Sequence, residues 1–539
     1  MYTTEDLNHV PDEPVKEGHS NITFMVSDIA ELLLNLNCNK SPGPDNIHPR
    51  VLKECAEVLA LPLNLLFTAS MEHGKLPAAW KEAVVTPIFK KGARAAVNNY
   101  RPISLTSVCC KIMEKLVRNS LLQHMITNGF LSDTQHGFVK GRSCTTQLLK
   151  VVDKLSELMD EGMNMDIVFL DFSKAFDSVP HQRLLLKLQN YGVSGPVLEW
   201  IRSFLLSRRQ QVAVGGSVSS WLDVLSGVPQ GSVLRPVLFV CYINDMPDLI
   251  KSFIYLYADD AKLLSRVCDE GDRAHLQSDL DTLMEWAKNW QLRFNPDKCK
   301  VMHFGKNNNN WQYTVQDDNG KLHILQHAIE ENDLGIWIEP TLKFSTHVAR
   351  VANKAHQILG LIHRSFIYID APLLKQLYTA LVRPHLEYGN PVWHPFLKKD
   401  IRLLERVQQR ATRMVPTLRH LRYEDRLKVL DLPSLAYRRL RGDAIETYKH
   451  LHGIYNVDST VLFPLNQSAG VTTRGHCLKL QKRDCKTCVR ANFLGLRIVN
   501  FWNNLPEFVV TADSVNVFKN CMDKHCHHLR FCIVDLWKT

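Results

Sequence analysis

The chain of 539 residues lacks any apolar run long enough to cross a membrane. Its longest apolar segments, LALPLNLLF and VLFVCYI, fall well short of the roughly 18 residues that a spanning helix needs. It begins MYTTEDLNHVPDEP, with no basic segment before an apolar stretch, which excludes an ordinary secretory signal. The fourteen cysteines show no repeating spacing and are interpreted as reduced thiols. We therefore expect a soluble, intracellular protein that does not bind membranes.

Internal repeats are also lacking, and the composition excludes collagen, a disordered chain and a coiled coil. The length exceeds what one compact domain usually holds, so several lobes are predicted. The formal net charge is +10, and residues 351–450 contain 18 Lys or Arg against nine Asp or Glu. A local basic surface predicts a polyanion such as nucleic acid as partner. A solvated helical surface is the alternative.

Periodicity and turn residues predict an α+β fold, with strands among helices and a helical appendage. The first half is predicted to contain a helix from Arg50 to about Met71, a strand at 83–92, a loop at 98–105 where Pro102 prevents helix, a helix reaching Met125, a strand at 165–172 and a helix at 181–192. The second half is predicted to contain a hairpin turning at Gly215-Gly216, a hairpin at 253–265 with a four-residue turn at Ala258–Ala261, a helix at 272–290, strands near 299–304 and 334–338, and mainly helix after about 345.

Three carboxylates stand at the ends of predicted strands. Asp171 follows the apolar run IVFL, and Asp259 and Asp260 lie side by side in YADD. Asp is a common turn residue, so the hairpin alone also fits a structural role. A carboxylate at the end of an apolar strand, however, needs a cation or water when it is buried. Together the three residues predict an oxygen-rich site for two magnesium ions.

Several segments then occur in a fixed order along the chain. They are PIFKKG, NYRPISL, QHGFVKGRS (135–143), LDFSKAFDSVPH (170–181), SGVPQGSVL (226–234), YADD (257–260), LRFNPDKCKVMHF (292–304), DLGIWIEPTLKF (333–344), TTRGHCLKL, NFWNNLP and SVNVFKN. This ordered set closely resembles the reverse transcriptases of non-LTR (LINE) retrotransposons, particularly the jockey-like and chicken-repeat-like branch. The resemblance covers the chain from about Asn39 to near its carboxyl terminus.

The resemblance implies an RNA-directed DNA polymerase with the right-hand arrangement of fingers, palm and thumb around an antiparallel palm sheet. The implied regions are an amino-terminal linker at 1–37, fingers with palm segments at 38–164, the palm at 165–344, a helical thumb at 345–440 and a helical extension at 441–539. Template RNA, a DNA primer or target, and dNTPs are the implied partners. Two Mg²⁺ ions are the implied cofactors, with Mn²⁺ as an expected substitute, and the nucleus is the expected compartment for target-primed synthesis.

The resemblance also implies roles for individual residues. Asp171, Asp259 and Asp260 match the metal ligands, and dNTP contacts are implied for Lys90, Arg101, Phe176, Gln230 and Gly231. Phe176 stands where the family excludes ribonucleotides, and Lys298 is a candidate general acid toward pyrophosphate. Leu334, Gly335 and Ile336 match the primer grip. For Lys90, Arg101 and Lys298 a solvated surface charge is the alternative, and for Phe176 a core residue.

Two further patterns lie toward the carboxyl terminus. Arg402, Arg406, Arg410 and Arg413 recur at helical spacing beside Leu403, Val407 and Met414, which predicts a thumb helix along a nucleic-acid backbone or a solvated face. Cys485, Cys488, Cys521, His525 and Cys526 would suit zinc by residue type. Their spacing is wrong for a compact finger, so incidental cysteines are favoured and no zinc is expected.

The chain departs from the family pattern at Arg235, where glycine is usual after GSVL, and in the residue before Leu334, which is usually aromatic. A bulky cation at 235 is expected to obstruct dNTP or template. No stretch long enough for an endonuclease precedes the motifs, and no RNase H is recognised, so an endonuclease is expected in trans. A decayed or domesticated RNA/DNA-binding relic remains an alternative, as does an RNA-copying RNA polymerase, which Phe176 and YADD disfavour.

Overall fold

A computed structural model describes residues 18–317, 320–466 and 475–533. Helices and strands are mixed along this chain, which confirms the predicted α+β class. Within the described part, no helix combines the length and apolarity needed to cross a membrane. The first 17 residues of the predicted linker, the start of TTRGHCLKL and residues 534–539 of the predicted extension lie outside the described residues.

The amino-terminal region is helical apart from two strands. Its elements are α1 (Val26–Leu34), α2 (Pro49–Glu54), α3 (Ala56–Glu72), β1 (Glu82–Phe89), β2 (Tyr100–Leu105), α4 (Val108–Thr127) and α5 (Cys144–Asp160). The helix predicted from Arg50 to about Met71 forms as two helices, since Cys55 interrupts it between α2 and α3. Helix α1 buries Ile29 and Leu33.

The loop predicted at 98–105 is wrong, because six of these residues form strand β2. Strand β2 pairs antiparallel with β1 at the edge of its sheet, with Pro102 opposite Pro87. Proline lacks the amide hydrogen that a ladder needs, but an edge strand tolerates it. Pro102 therefore excludes a helix, as predicted, without excluding a strand.

The central region contains most of the strands. Its elements are β3 (Met165–Asp171), α6 (Ala175–Ser178), α7 (His181–Asn190), α8 (Gly195–Leu205), β4 (Arg208–Val214), β5 (Ser217–Val218), β6 (Leu222–Val224), α9 (Arg235–Ile243), β7 (Phe253–Tyr257), β8 (Asp260–Arg266), α10 (Glu270–Asn289), β9 (Lys300–Phe304), β10 (Thr314–Gln316), β11 (Leu322–Ile324), β12 (Gln326–His327), β13 (Glu331–Asp333) and β14 (Ile336–Ile338). The hairpin predicted at Gly215-Gly216 is confirmed by β4 and β5, and β6 also pairs with β4.

The central sheet has the strand order β12-β9-β3-β8-β7. Strands β9, β3, β8 and β7 pair antiparallel, as predicted, whereas the two-residue strand β12 lies parallel to β9. Alternate residues of β3 enter two hydrophobic cores, because successive side chains of a strand point to opposite faces. Val168 and Leu170 belong to the core of the amino-terminal helices, and Met165 and Ile167 to the core of the carboxyl-terminal helices.

After residue 345 the described chain is mainly helical, as predicted. Its helices are α11 (Ser345–Ser365), α12 (Ala371–Leu377), α13 (Arg383–Glu387), α14 (Asn390–Trp393), α15 (Lys398–Thr412), α16 (Tyr423–Leu430), α17 (Leu435–Leu451), α18 (Cys488–Ala491), α19 (Leu494–Arg497), α20 (Val499–Asn503), α21 (Glu507–Val510) and α22 (Val515–His525).

The carboxyl-terminal helices fold back onto α5. Arg490 of α18 donates to the Asp153 carboxylate at 2.6 Å and to Ser156 Oγ at 2.9 Å. At the end of α5, Asp160 accepts hydrogen bonds from the Thr487 amide at 2.6 Å and from the Thr487 hydroxyl at 2.7 Å. Helix α5 therefore joins the central sheet to the last part of the chain.

Candidate active site

The central sheet brings the three predicted carboxylates together. Asp171 is the last residue of β3, and its register partner on β8 is Asp260, the first residue of that strand. Asp259 lies in the turn between β7 and β8. The four-residue turn predicted at Ala258–Ala261 is wrong, because Asp260 pairs with Tyr257 and only two residues form the turn. Two-residue hairpin loops favour positive φ, and Ala258 adopts φ 55°.

The crowding of these acids disfavours their charged forms. Burial and the charge of Asp171 raise the pKa of Asp259. Loss of hydration and the charge of Asp259 raise the pKa of Asp260 to about 6, although its side chain reaches solvent. Like charges held close together resist ionisation, and a divalent cation removes that penalty. The donor set therefore fits magnesium, which prefers carboxylate oxygens.

A buried glutamine fixes the turn that carries Asp259. The side-chain oxygen of Gln135 accepts hydrogen bonds from the amide of Ala258 at 3.0 Å and from that of Gly137 at 2.8 Å. Gln135 is fully buried, and the backbone of its segment pairs with Leu256 of β7. Sequence analysis placed QHGFVKGRS among fingers motifs but gave Gln135 no role. Its signal was that motif, which the structure places against the turn.

Lys298 lies beside the carboxylates. Its Nζ donates to Asp171 Oδ2 at 2.7 Å, and both side chains reach solvent. A cavity of about 310 Å³ opens next to Asp171 and Asp260 and is also lined by Lys298 and Leu334. A cation bound by Asp171 would therefore compete with Lys298 for the carboxylate.

The predicted primer-grip residues form the tip of a hairpin at this cavity. Strands β13 and β14 pair so that Leu334 and Gly335 make a two-residue turn, with φ 46° and 87°. Positive φ at both positions is strained for Leu334 and easy for Gly335, because glycine has no Cβ. The Tyr388 hydroxyl donates to the Leu334 carbonyl at 2.8 Å, and Ile336 is buried in β14.

A buried ion pair joins this hairpin to β8. Lys262 Nζ lies 2.6 Å from Asp333 Oδ1 and 2.8 Å from Gln147 Oε1, and Lys262 and Asp333 are almost fully buried. Neither residue was predicted from the sequence. The available signal was the alternation of β8, which puts Lys262 on the same face of the strand as Asp260.

Phe176 lies between aromatic and cationic neighbours. Its ring centroid is 4.3 Å from that of Phe239 and 4.6 Å from the guanidinium carbon of Arg235. Arg235 also donates to the Val228 carbonyl at 2.8 Å and to Asp177 at 3.1 Å. The unusual arginine is thus anchored beside Phe176, and its expected obstruction of substrate stays a prediction.

Gln230 and Gly231 lie against strand β2. The amide of Ser104 donates to the Gln230 carbonyl at 2.7 Å. A Cβ added to Gly231 would come within 2.5 Å of the Ser104 carbonyl oxygen, so only glycine permits this approach. Glu114, which sequence analysis missed, is buried and accepts hydrogen bonds from the amides of Val233 and Leu234. The contacts with Ser104 and Glu114 therefore hold the segment 230–234 at both of its ends.

The remaining predicted residues are exposed. Lys90 follows β1 and Arg101 lies in β2, and within the described chain neither side chain forms an ion pair. Arg402, Arg406 and Arg410 of α15 and Arg413 after it are also exposed, while Val407 is buried and Leu403 and Met414 are partly buried. The arginine stripe thus faces solvent, which suits either interpretation of it.

The cysteines of the zinc-like pattern lie in different surroundings in the structure. Cys488 is exposed and Cys485 is partly buried beside α5, where the amide of the intervening Lys486 donates to Asp160. Cys526 is buried in the carboxyl-terminal core, and burial raises the pKa of its thiol to about 11. A thiol with a raised pKa is a poor metal ligand at neutral pH, because metals bind the thiolate.

Comparison with known families places the site within a matched region. The family model described as "Reverse transcriptase (RNA-dependent DNA polymerase)" matches residues 88–360, about half of the chain. This range contains all three carboxylates, the β7–β8 and β13–β14 hairpins, and the segment with Gln230 and Gly231.

Individual relatives extend the match. The "Probable RNA-directed DNA polymerase from transposon BS" of Drosophila melanogaster is 31% identical over 406 residues, 72% of this chain and 44% of that protein. The "RNA-directed DNA polymerase from mobile element jockey" of the same species is 30% identical over 72% of this chain and 43% of its own length. The chain therefore spans less than half the length of these relatives. The jockey-like resemblance drawn from the motifs is confirmed.

Proposed function

Because the chain belongs to the reverse transcriptase (RNA-dependent DNA polymerase) family, we propose that it adds deoxynucleotides to a primer on an RNA template. The observation that carries this proposal is the meeting of Asp171 and Asp260 as register partners, with Asp259 in the adjoining turn.

The three carboxylates would hold two Mg²⁺ ions, for which Mn²⁺ is the expected substitute. Such ions, when bound, lower the pKa of the primer hydroxyl and neutralise charge on the phosphates. The raised pKa of Asp259 and of Asp260 supports this role, because a bound cation would stabilise the charged forms that burial and mutual repulsion disfavour. Lys298 would leave Asp171 when a cation arrives and could then donate a proton to pyrophosphate from the same side.

The dNTP would lie over the surface where the segment with Gln230 packs against strand β2. Exposed Lys90 and Arg101 would bind the triphosphate, since a guanidinium matches phosphate geometry. The close packing of Gly231 on Ser104 supports this placement only by fixing the segment against β2. The Phe176 ring, supported by Phe239, would exclude the ribose 2′-hydroxyl.

The primer end would rest on the turn at Leu334 and Gly335, with Ile336 anchoring the hairpin. The shared cavity beside Asp171 and Asp260 supports this placement. In this proposal residues 38–164 are fingers, 165–344 the palm and 345–440 the thumb. The exposed arginines of α15 would follow the phosphates of the template–primer duplex.

Primer extension tests the function. Poly(rA)/oligo(dT) is incubated with the full chain, dTTP and Mg²⁺, and parallel reactions contain UTP, a DNA template or a chelator. We expect extension with dTTP that requires the metal and is much weaker with UTP. No extension in Mg²⁺ or Mn²⁺ would overturn the proposed function, and preferred use of UTP would assign an RNA polymerase instead.

A further inference from the structure

The ion pair between Lys262 and Asp333 spans the two parts of the site. Lys262 lies two residues after Asp260 on β8, and Asp333 directly precedes the turn at Leu334 and Gly335. The Nζ–Oδ1 distance is 2.6 Å. A single contact therefore connects the strand that begins with a catalytic carboxylate to the turn proposed to hold the primer end.

The side chain of Lys262 is held in one orientation by its contacts. Gln147 of α5 accepts a second hydrogen bond from Nζ at 2.8 Å, and Phe169 of β3 is the register partner of Lys262. The second oxygen of Asp333 is buried and has no hydrogen-bond partner among the described residues. The carboxylate of Asp333 is thus held by Lys262, while its backbone pairs with Ile336 in the hairpin.

The turn is held from its other side by Tyr388, whose hydroxyl donates to the Leu334 carbonyl at 2.8 Å. That tyrosine lies after α13, on the helical side of the chain, and is half exposed. Of these two contacts, the one with Lys262 connects the turn to β8. A further ion pair, between Lys300 of β9 and Glu331 of β13 at 2.7 Å, holds the other end of β13 to the central sheet, so the pair with Lys262 is the sheet contact next to the turn.

A buried ion pair is weak evidence for stability, because the cost of desolvating two charges offsets their attraction. A well-packed apolar pair at the same place would often be as stable. What the charged pair adds is a directional contact of fixed length. Its placement between Asp260 and the turn therefore points to positioning.

We propose that Lys262 and Asp333 are positioning residues that set the primer 3′-hydroxyl against the carboxylates. The inference rests on the proposed function and goes beyond it, since it assigns the alignment of the primer end to an ion pair between two residues for which the motifs implied no role. Removal of the pair should slow the chemical step without weakening dNTP or duplex binding. A misplacement of about 1 Å can lower a rate by about 10²-fold.

The main test is the double variant Lys262→Met/Asp333→Leu, which removes both charges and leaves no buried ion unpaired. Single-turnover incorporation of dTTP on poly(rA)/oligo(dT) should slow by roughly 10–100-fold. The Kd values for dTTP and for the duplex should stay near those of the wild type, and so should the melting temperature. Lys262→Arg, which keeps the charge and its direction, should recover part of the rate. Lys375→Met is the matched control, because that lysine forms an exposed pair with Asp431.

A second readout does not depend on turnover. A primer with 2-aminopurine at its 3′ end reports the surroundings of the terminal base when the duplex is bound. The fluorescence change seen with the wild type should be lost in the double variant and kept in Lys375→Met. Wild-type rate and wild-type fluorescence in the double variant would overturn the inference while the proposed function stands. A wild type that binds duplex but extends no primer would overturn the function, and the fluorescence would still decide the positioning role. A wild type that does not bind the duplex would overturn both.

Discussion

At the scale of single residues, the carboxylates are the groups whose removal is most informative. Asp259→Ala and Asp171→Ala should each lower dNTP incorporation by about 10³-fold or more, because each removes a charge from the cation site. Duplex binding should persist, since the exposed arginines of α15 lie elsewhere. Rates come from primer extension and affinity from a filter or anisotropy assay.

Removal of Mg²⁺ by a chelator should reproduce the effect of both variants. Asp281→Ala is the control, because Asp281 is an exposed acid on α10. Extension at a near wild-type rate by either site variant would show that the cations bind elsewhere.

Phe176 is the residue expected to select deoxyribose. Its ring is held by Phe239 and Arg235, so it forms a rigid obstacle rather than a mobile one. Phe176→Val should admit UTP with a smaller loss of dTTP incorporation. Relief of a clash of about 3–4 kcal/mol corresponds to roughly 10²–10³-fold in selectivity.

The measurement is kcat/KM for dTTP and UTP on one template. Phe204→Val, in a fully buried aromatic pair with Trp200, is the comparison for lost packing alone. Equal losses with both nucleotides in Phe176→Val would make Phe176 a core residue and not a selector.

At the scale of elements, local patterns were sufficient where one face of an element is apolar. The run IVFL predicted β3, and the Gly215-Gly216 pair predicted the turn between β4 and β5. The sequence pattern did not predict the structure correctly where strand pairing determines it. Pro102 was assigned to a loop because an edge strand cannot be distinguished from a loop without its partner. Asp260 was assigned to the turn because the local sequence does not determine the pairing register of β7 and β8.

The candidate site shows the same division. Asp171, Asp259 and Asp260 could be predicted because they end recognisable strands. Lys262 and Gln135 were not predicted, although strand alternation and the motif QHGFVKGRS point to them, because a polar residue that is buried by partners far along the chain looks like a surface residue. Lys262 meets Asp333 across 71 residues, and no period of helix or strand reports such a contact.

The element that tests nucleic-acid binding is α15. Replacing Arg402, Arg406 and Arg410 together with glutamine should flatten the dependence of log K on log salt. Each lost phosphate contact should change the slope by about 0.9 for duplex DNA. The α-helical content should not change, since all three side chains are exposed.

The assay is duplex affinity across a salt series, with circular dichroism as the fold check. Replacing Arg118, Arg202 and Arg273, which lie on other helices, removes equal charge and serves as the control. An unchanged slope in the α15 variant would identify the stripe as a solvated surface.

At the scale of the whole molecule, the return of the chain to α5 ties the last helices to the central sheet. Arg490 is buried and donates to Asp153 and Ser156. Arg490→Met should lower stability by about 3–5 kcal/mol, because it leaves the Asp153 carboxylate poorly compensated in its buried setting. Burial already raises the pKa of Asp153 despite the arginine.

Thermal melting and limited proteolysis measure the loss. Arg202→Met removes an exposed pair with Glu199, for which the expected cost is about 0–1 kcal/mol. Equal melting temperatures for the two variants would mean that the contact of Arg490 with α5 adds no more stability than an exposed ion pair.

The contact between Asp160 and Thr487 also limits how early α5 can complete its packing during synthesis of the chain. The two residues are 327 positions apart, and a ribosome adds about 5–20 residues per second. Thr487 is therefore synthesised roughly 16–65 s after Asp160. By the end of that interval the strands around Asp171 and Asp259 are complete, but α5, which carries Gln147 next to Lys262, still lacks its outer neighbour. A nascent chain halted before residue 487 would therefore carry all three carboxylates on a helix–sheet body whose second core is unfinished, and we expect proteases to cleave it more readily than the full chain.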